Sequence, residues 1–236
     1  MAVITKLSHT DIDSILKQYN VGSFIGAEPV LAGVENTNYI IKTEDSKYIL
    51  TIFEKRVSKQ DIPFFISLME YLANDNFPVP HVIENQNNSR IFSYNAKTGI
   101  ILSFLEGKSI MQDISLDHAK EFGSLIGNMH NSCTKFSAKR SNSLDLQGCK
   151  KLFQELVTRR AVDENEHNLI NEILHTELYP LSQIDDEIAK GIVHGDLFPD
   201  NIFFLDAKIS GLIDFYFASY DFLIYDLAIA INAWCF

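Results

Sequence analysis

Cysteine is scarce, and what there is falls in no structural pattern. Cys133, Cys149 and Cys235 are odd in number, far apart and never arranged as C-x-x-C. A disulfide framework and a cysteine zinc site are therefore not expected, and free thiols in a reducing compartment are. Positive charge is also short: 20 Lys and Arg face 31 Asp and Glu, for a formal net charge of −11. A surface of that sign repels polyanions, so neither nucleic acid nor an anionic membrane is expected as a partner. No apolar run approaches the roughly 20 residues of a membrane span. The opening MAVITKLSHTDID has no apolar stretch of the secretory kind. A cytoplasmic setting is expected. Internal repeats and low-complexity segments are missing too.

What remains is ordinary globular composition, 46% hydrophobic and 22% charged over 236 residues. That length suits one large domain or two small lobes. Ser8-His9-Thr10-Asp11 reads as a capping box opening a helix to about residue 19. Residues 33–43 and 47–54 read as strands joined by a turn at Glu44-Asp45-Ser46. A helix is expected over 61–75, stopped by Phe77-Pro78-Val79-Pro80. Strands near 91–94 and 99–104 follow, and then the character changes. Residues 115–131, 144–159 and 164–179 read as helices, 191–194, 201–205 and 208–213 as short strands, and 225–234 as a final apolar helix. A β-rich block followed by a helix-rich one predicts an α+β chain of two lobes, 1–103 and 104–236. The chain reaches Cys235-Phe236 with no polar tail or helix stop, which suggests part of a longer protein.

The chemistry concentrates in VHGDLFPDN, residues 193–201. The spacing H-x-D-x-x-x-x-N is that of a kinase catalytic loop, with Gly195 where protein kinases usually carry Arg. Phosphoryl transfer needs a carboxylate to orient the attacking hydroxyl and take its proton. It also needs oxygen ligands for Mg²⁺, which a side-chain amide can supply. Asp196 and Asn201 fit those needs. Asp214, in SGLIDFY, follows an apolar strand in the place of the metal-binding Asp of D-F-G, with Tyr216 for Gly. Each residue alone would be turn noise; the ordered set is far less so. His194 reads as a buried structural histidine and Asp200 as a solvated turn residue.

IVHGDLFPDNIFF followed by GLIDFYFASYDFLIYDLA resembles the aminoglycoside phosphotransferase and choline kinase-like superfamily of small-molecule kinases. Within it, GVENTNYII, YILTIFEKR, DIPFFISLMEYLANDNFPVP and IDFYFASYDFLIYDLAIAINAWC resemble the bacterial homoserine kinases of this fold. The resemblance implies a protein-kinase-like fold with a β-rich N-lobe and a mainly helical C-lobe, binding ATP and Mg²⁺. It implies Asp196 as catalytic base and Asn201 and Asp214 as metal ligands. It also implies a phosphate loop over residues 31–39, with Gly33, Asn36, Thr37 and Asn38 at the nucleotide, and a hinge at 103–107. Asp226 would hold the catalytic loop, and Asp221 could face a substrate amine. The acceptor implied is L-homoserine, on the way to threonine. Another small alcohol (choline, methylthioribose, an aminoglycoside) or a non-catalytic nucleotide-binding module are the alternatives. In one respect the chain departs from the pattern. Thr51 stands where the phosphate-binding lysine is expected and Phe65 near its glutamate partner. Losing both avoids an unpaired buried charge. Lys42, Lys55 and Arg56 are the cations nearby in sequence that could substitute.

Overall fold

The computed structural model describes residues 4–31, 35–177 and 188–235. Helix α1 (His9–Leu16) starts at the Ser8–Asp11 capping box, both reciprocal bonds being present. Next comes an antiparallel sheet of β1 (Phe24–Pro29), β2 (Thr37–Thr43), β3 (Lys47–Ile52), β4 (Phe92–Tyr94) and β5 (Lys97–Ser103), ordered β1-β2-β3-β5-β4. Alternation decides its faces. Tyr39, Ile41, Leu50, Ile52 and Ile101 are buried against Ile12, Ile15 and Leu16 of α1. Ile100 and Leu102 belong to the second core, beneath α2 (Ile62–Asn74).

That second core runs on into the rest of the chain. Leu68 and Leu72 of α2 share it with Met129 of α3 (Leu116–Ser132), and with Ile192, Leu197, Leu212 and Phe215. The C-lobe adds α4 (Leu146–Thr158), α5 (Glu164–Glu172) and α6 (Ile224–Trp234). Two small sheets carry its loops. One pairs β7 (Lys190–Val193) with β10 (Ser219–Phe222), and the other orders β6 (Lys108–Ser109), β8 (Ile202–Leu205) and β9 (Lys208–Leu212) as β6-β8-β9. Among the described residues no helix is long and apolar enough to cross a membrane.

The structure adds β1, β6 and β10 to the elements expected and shortens others. The helix expected over 164–179 is α-helical only to Glu172 and ends in a π turn, Ile173–Glu177; its last two residues lie outside the described ones. Asn201 belongs to a 3₁₀ turn, Pro199–Asn201, rather than to the strand after it.

Candidate active site

Strand β7 delivers the loop at residue 194, and buried bonds fix its path. The Asp226 carboxylate, fully buried on α6, accepts the His194 N–H at 2.8 Å and the Gly195 N–H at 2.9 Å. His130 of α3 meets the same carboxylate through Nε2 at 2.9 Å. The His194 ring is fully buried and its hydrogen bonds define the tautomer. Nε2 lies 3.0 Å from the Ile213 carbonyl, which can only accept, so Nε2 carries the proton; Nδ1 accepts the Asp196 N–H at 3.2 Å. Burial pushes this imidazole down to about 4, so it stays neutral. Gly195 has φ +78°, and a Cβ there would come within 3.0 Å of the Phe217 carbonyl. Both facts require glycine where the protein-kinase pattern has Arg.

Asn201 then ties the turn to the Asp196 carboxylate. Its amide nitrogen donates to the Asp196 carbonyl and to Asp196 Oδ2, both at 2.8 Å. Both bonds use the amide nitrogen and neither uses the amide oxygen. Asp214 sits just after β9 in the left-handed region, φ 65° and ψ 60°, which an L side chain adopts at a cost of about 1 kcal/mol. Its carboxyl is pushed up to about 7, first by burial, then by Asp196, Glu35 and Asp200, against one backbone hydrogen bond at Tyr216. Asp196 is raised as well, by burial and Asp200, while Asn201 and Arg56 oppose the rise. Asp200 itself is exposed. Four carboxylates thus converge on one place that is short of positive charge, an arrangement typical of a functional site.

A cleft of about 280 Å³ lies beside them. Phe104 and Gly107 of the linker after β5 line it, together with Ile40, Ile49, Leu102 and Ser103 of the sheet, and so do Asn38, Thr51, Asp214 and Tyr216. The nucleotide residues expected from the sequence part company here. Gly33 lies outside the described residues. Asn36 Oδ1 accepts the Glu54 N–H at 3.3 Å, and the Thr37 hydroxyl donates to Glu54 Oε1 at 2.8 Å, so both side chains point into the sheet lobe. Glu54 also receives Thr5 at 2.6 Å and pairs with Lys97. Asn38 alone of the three lines the cleft, accepting the Thr51 hydroxyl at 2.7 Å.

The place of the missing lysine–glutamate pair is aromatic. Tyr216, raised by burial and then by Asp214, directs its hydroxyl to Thr51. Its ring meets Phe53 edge-on at 5.0 Å and Phe65 at 5.8 Å. The Tyr that stands for the motif's Gly therefore packs against both Thr51 and Phe65, so the three departures lie side by side. Of the substitute cations, Lys42 pairs with Glu28 at 2.5 Å on the exposed edge of the sheet, whereas Arg56 pairs with Glu35 and lies 4.5 Å over the Phe217 ring. Asp221 accepts the Asn142 amide at 2.7 Å. Sequence reasoning missed Arg140, which no motif marks. It donates to Asp61 at the start of α2 (2.7 Å) and to the Ala218 carbonyl (3.1 Å), and lies 5.0 Å over Phe65.

A sheet lobe set on a helical lobe, with an apolar cleft between them opening onto a carboxylate-rich loop, defines a two-lobed phosphotransferase. The chain belongs to the phosphotransferase enzyme family, which residues 26–236 match. It is 37% identical over 236 residues to a homoserine kinase of Rhizobium etli, and 38% identical over 237 residues to one of Bartonella henselae. In each case all of this chain is aligned, on 73% of the relative. Amicoumacin kinase, solved with AMP-PNP, Ca²⁺ and its antibiotic, superposes with a TM-score of 0.75 at 17% identity, over 97% of this chain and 69% of that one. A microcompartment-associated aminopropanol kinase gives 0.68 at 18% identity, over 95% and 74%. These structures share the fold.

Proposed function

We propose that this protein transfers the γ-phosphoryl group of ATP to the side-chain hydroxyl of L-homoserine, a cytoplasmic step toward threonine. One observation carries the phosphotransferase chemistry: Asn201 holds the Asp196 carboxylate by one oxygen, next to the raised carboxyl of Asp214. The acceptor is supported by the relatives at 36–38% identity, all of them homoserine kinases.

In this reading residues 1–103 form the nucleotide lobe and 104–236 the catalytic lobe. The adenine enters the apolar part of the cleft beside the 103–107 linker. The loop over residues 31–39, Gly33 included, covers the phosphates with its backbone N–H groups, and Asn38 adds a side chain. Asp196 takes the acceptor's hydroxyl proton. Asn201 occupies Oδ2, which leaves Oδ1 to the substrate, and burial raises the carboxylate toward the basicity that a proton acceptor needs. The Asn201 amide oxygen and the Asp214 carboxylate are the hard oxygen donors that suit Mg²⁺, an ion usually held by one or two side chains plus phosphate and water. When bound, Mg²⁺ supplies the charge neutralisation that the transferring phosphoryl group requires. It also offsets the mutual repulsion of Asp196, Asp214, Glu35 and Asp200.

ADP release measured with homoserine, choline, methylthioribose and an aminoglycoside tests the acceptor, and homoserine is expected to respond. Asp196→Asn is expected to lower kcat by roughly 10²–10⁴-fold with ATP binding retained. Full activity in that variant, or turnover of another alcohol without homoserine, would overturn the reading. Stabilisation by Mg²⁺-ATP with no ADP from any acceptor would mark a non-catalytic module.

A further inference from the structure

Beside Asp196 stands an ion pair, Glu35 with Arg56, that phosphoryl transfer as described leaves unused. The β2–β3 hairpin carries both residues. Its last rung is Thr37 opposite Ile52, and Glu35 and Arg56 project just past it at the open end. The Arg56 guanidinium lies 4.5 Å over the Phe217 ring. Phe217 in turn packs on Gly195 so tightly that a Cβ there would sit 3.2 Å from Phe217 Cβ. Gly195 immediately precedes Asp196, so this stack fixes the guanidinium next to the catalytic loop. Neither Glu35 nor Arg56 lines the nucleotide cleft. The Arg56 side chain is 52% exposed and that of Glu35 19%, so both are open to a ligand.

We propose that Arg56 and Glu35 receive the zwitterionic head of the acceptor, the guanidinium taking the α-carboxylate and Glu35 the α-ammonium, while the acceptor's hydroxyl reaches Asp196. This inference rests on the amino-acid acceptor argued above. A guanidinium presents a planar fork that matches a carboxylate with two parallel bonds. Stacking on an aromatic ring orients that fork before the ligand arrives, which lowers the entropy lost on binding. An ion pair and a zwitterion close into a square of alternating charge. An acceptor carrying only positive charge meets the same Glu35 but is repelled by Arg56. The pair therefore selects amino acids over amine alcohols by repulsion as well as attraction.

The test compares L-homoserine with 3-amino-1-propanol, which keeps the amine and the hydroxyl but lacks the carboxylate. The full chain, Arg56→Met, Arg56→Lys and Glu35→Gln are assayed with both acceptors, with KM for ATP measured alongside. The unaltered chain is expected to prefer homoserine. Arg56→Met is expected to raise the homoserine KM about 10- to 100-fold, the loss of a charge-assisted pair of bonds. Its KM for ATP should stay within about twofold, whereas its kcat/KM for 3-amino-1-propanol should not fall and is expected to rise, since the variant removes a repelling charge and no bond to that acceptor. Arg56→Lys, which keeps the charge but not the fork, should move homoserine in the same direction by less, and Glu35→Gln should weaken both acceptors. An unchanged homoserine KM in soluble, folded Arg56→Met overturns the proposal. So does an equal rise in the KM for ATP, which would assign Arg56 to the phosphates. Should Arg56→Met fail to fold, Arg56→Lys decides by the same criteria. A chain that phosphorylates neither compound fails at the proposed function instead.

Discussion

Asp214 combines a left-handed backbone with a carboxyl pushed up by burial and by neighbouring carboxylates. Its left-handed backbone and its carboxyl, raised to about 7, both work against stability at neutral pH. Above that pH the folded protein must carry a half-buried charge that the unfolded chain solvates freely. Asp214→Asn removes it. In metal-free protein at pH 8 the variant is expected to be more stable by about 1–3 kcal/mol, and to lose Mg²⁺-dependent turnover. Urea denaturation of both proteins measures this, and a less stable variant would contradict it. Asp196, Asn201 and Asp214 were legible as residues because their spacing is dictated by one loop and one strand end. The inward turn of Asn36 and Thr37 was not, because it depends on Glu54, which comes after the next strand.

Helix α6 holds the loop through two side chains, Trp234, whose indole N–H donates to the Leu197 carbonyl at 2.9 Å, and Asp226. Asp226 reaches from it to two backbone N–H groups of the catalytic loop and to His130 of α3, so three elements meet on one buried carboxylate. Asp226→Ala would strand those donors without a partner, and is expected to lower stability by about 3–5 kcal/mol. Asp226→Asn keeps one acceptor oxygen and is expected to cost about 1–3 kcal/mol and to lower kcat more than it raises either KM. Chemical denaturation with steady-state kinetics checks both; a loss below about 1 kcal/mol in the alanine variant would refute the anchoring role. At this scale the capping box at Ser8 and the period of α2 were readable in the sequence, since each is local. Strand β1 was not: FIGAEP has no buried position and no strict alternation, and only its pairing with β2 makes it a strand. Strand β10 exists for the same reason, through β7.

At the scale of the molecule, two of the large pKa shifts, those of His194 and Asp214, pull in opposite directions. His194 is pushed down to about 4 from 6.5, so between those values the unfolded chain binds a proton that the folded one refuses. Stability is therefore lost as pH falls through that window. Asp214 is pushed up to about 7 from 3.8, so there the folded chain binds the extra proton and stability is gained as pH falls. The two contributions offset each other in acid. Asp214→Asn deletes the second, so its stability is expected to decline more steeply than the parent's from pH 6.5 to 5. Parallel slopes in urea titrations across that range would contradict it. The same coupling between distant segments explains Arg140, whose role depends on α2, Ala218 and Phe65 coming together.

The sequence by itself determined the two lobes, most of the elements, and the identity and spacing of Asp196, Asn201 and Asp214, because all of these follow from short-range periodicity and from chemistry confined to a few neighbouring positions. Only the tertiary structure decided what surrounds them. It packed Tyr216 against Thr51 and Phe65 and turned Asn36 and Thr37 away from the cleft. It brought Arg56 onto Phe217 beside Asp196. Those outcomes depend on contacts between residues up to about 160 positions apart in sequence, which local pattern does not encode and packing of the two lobes does.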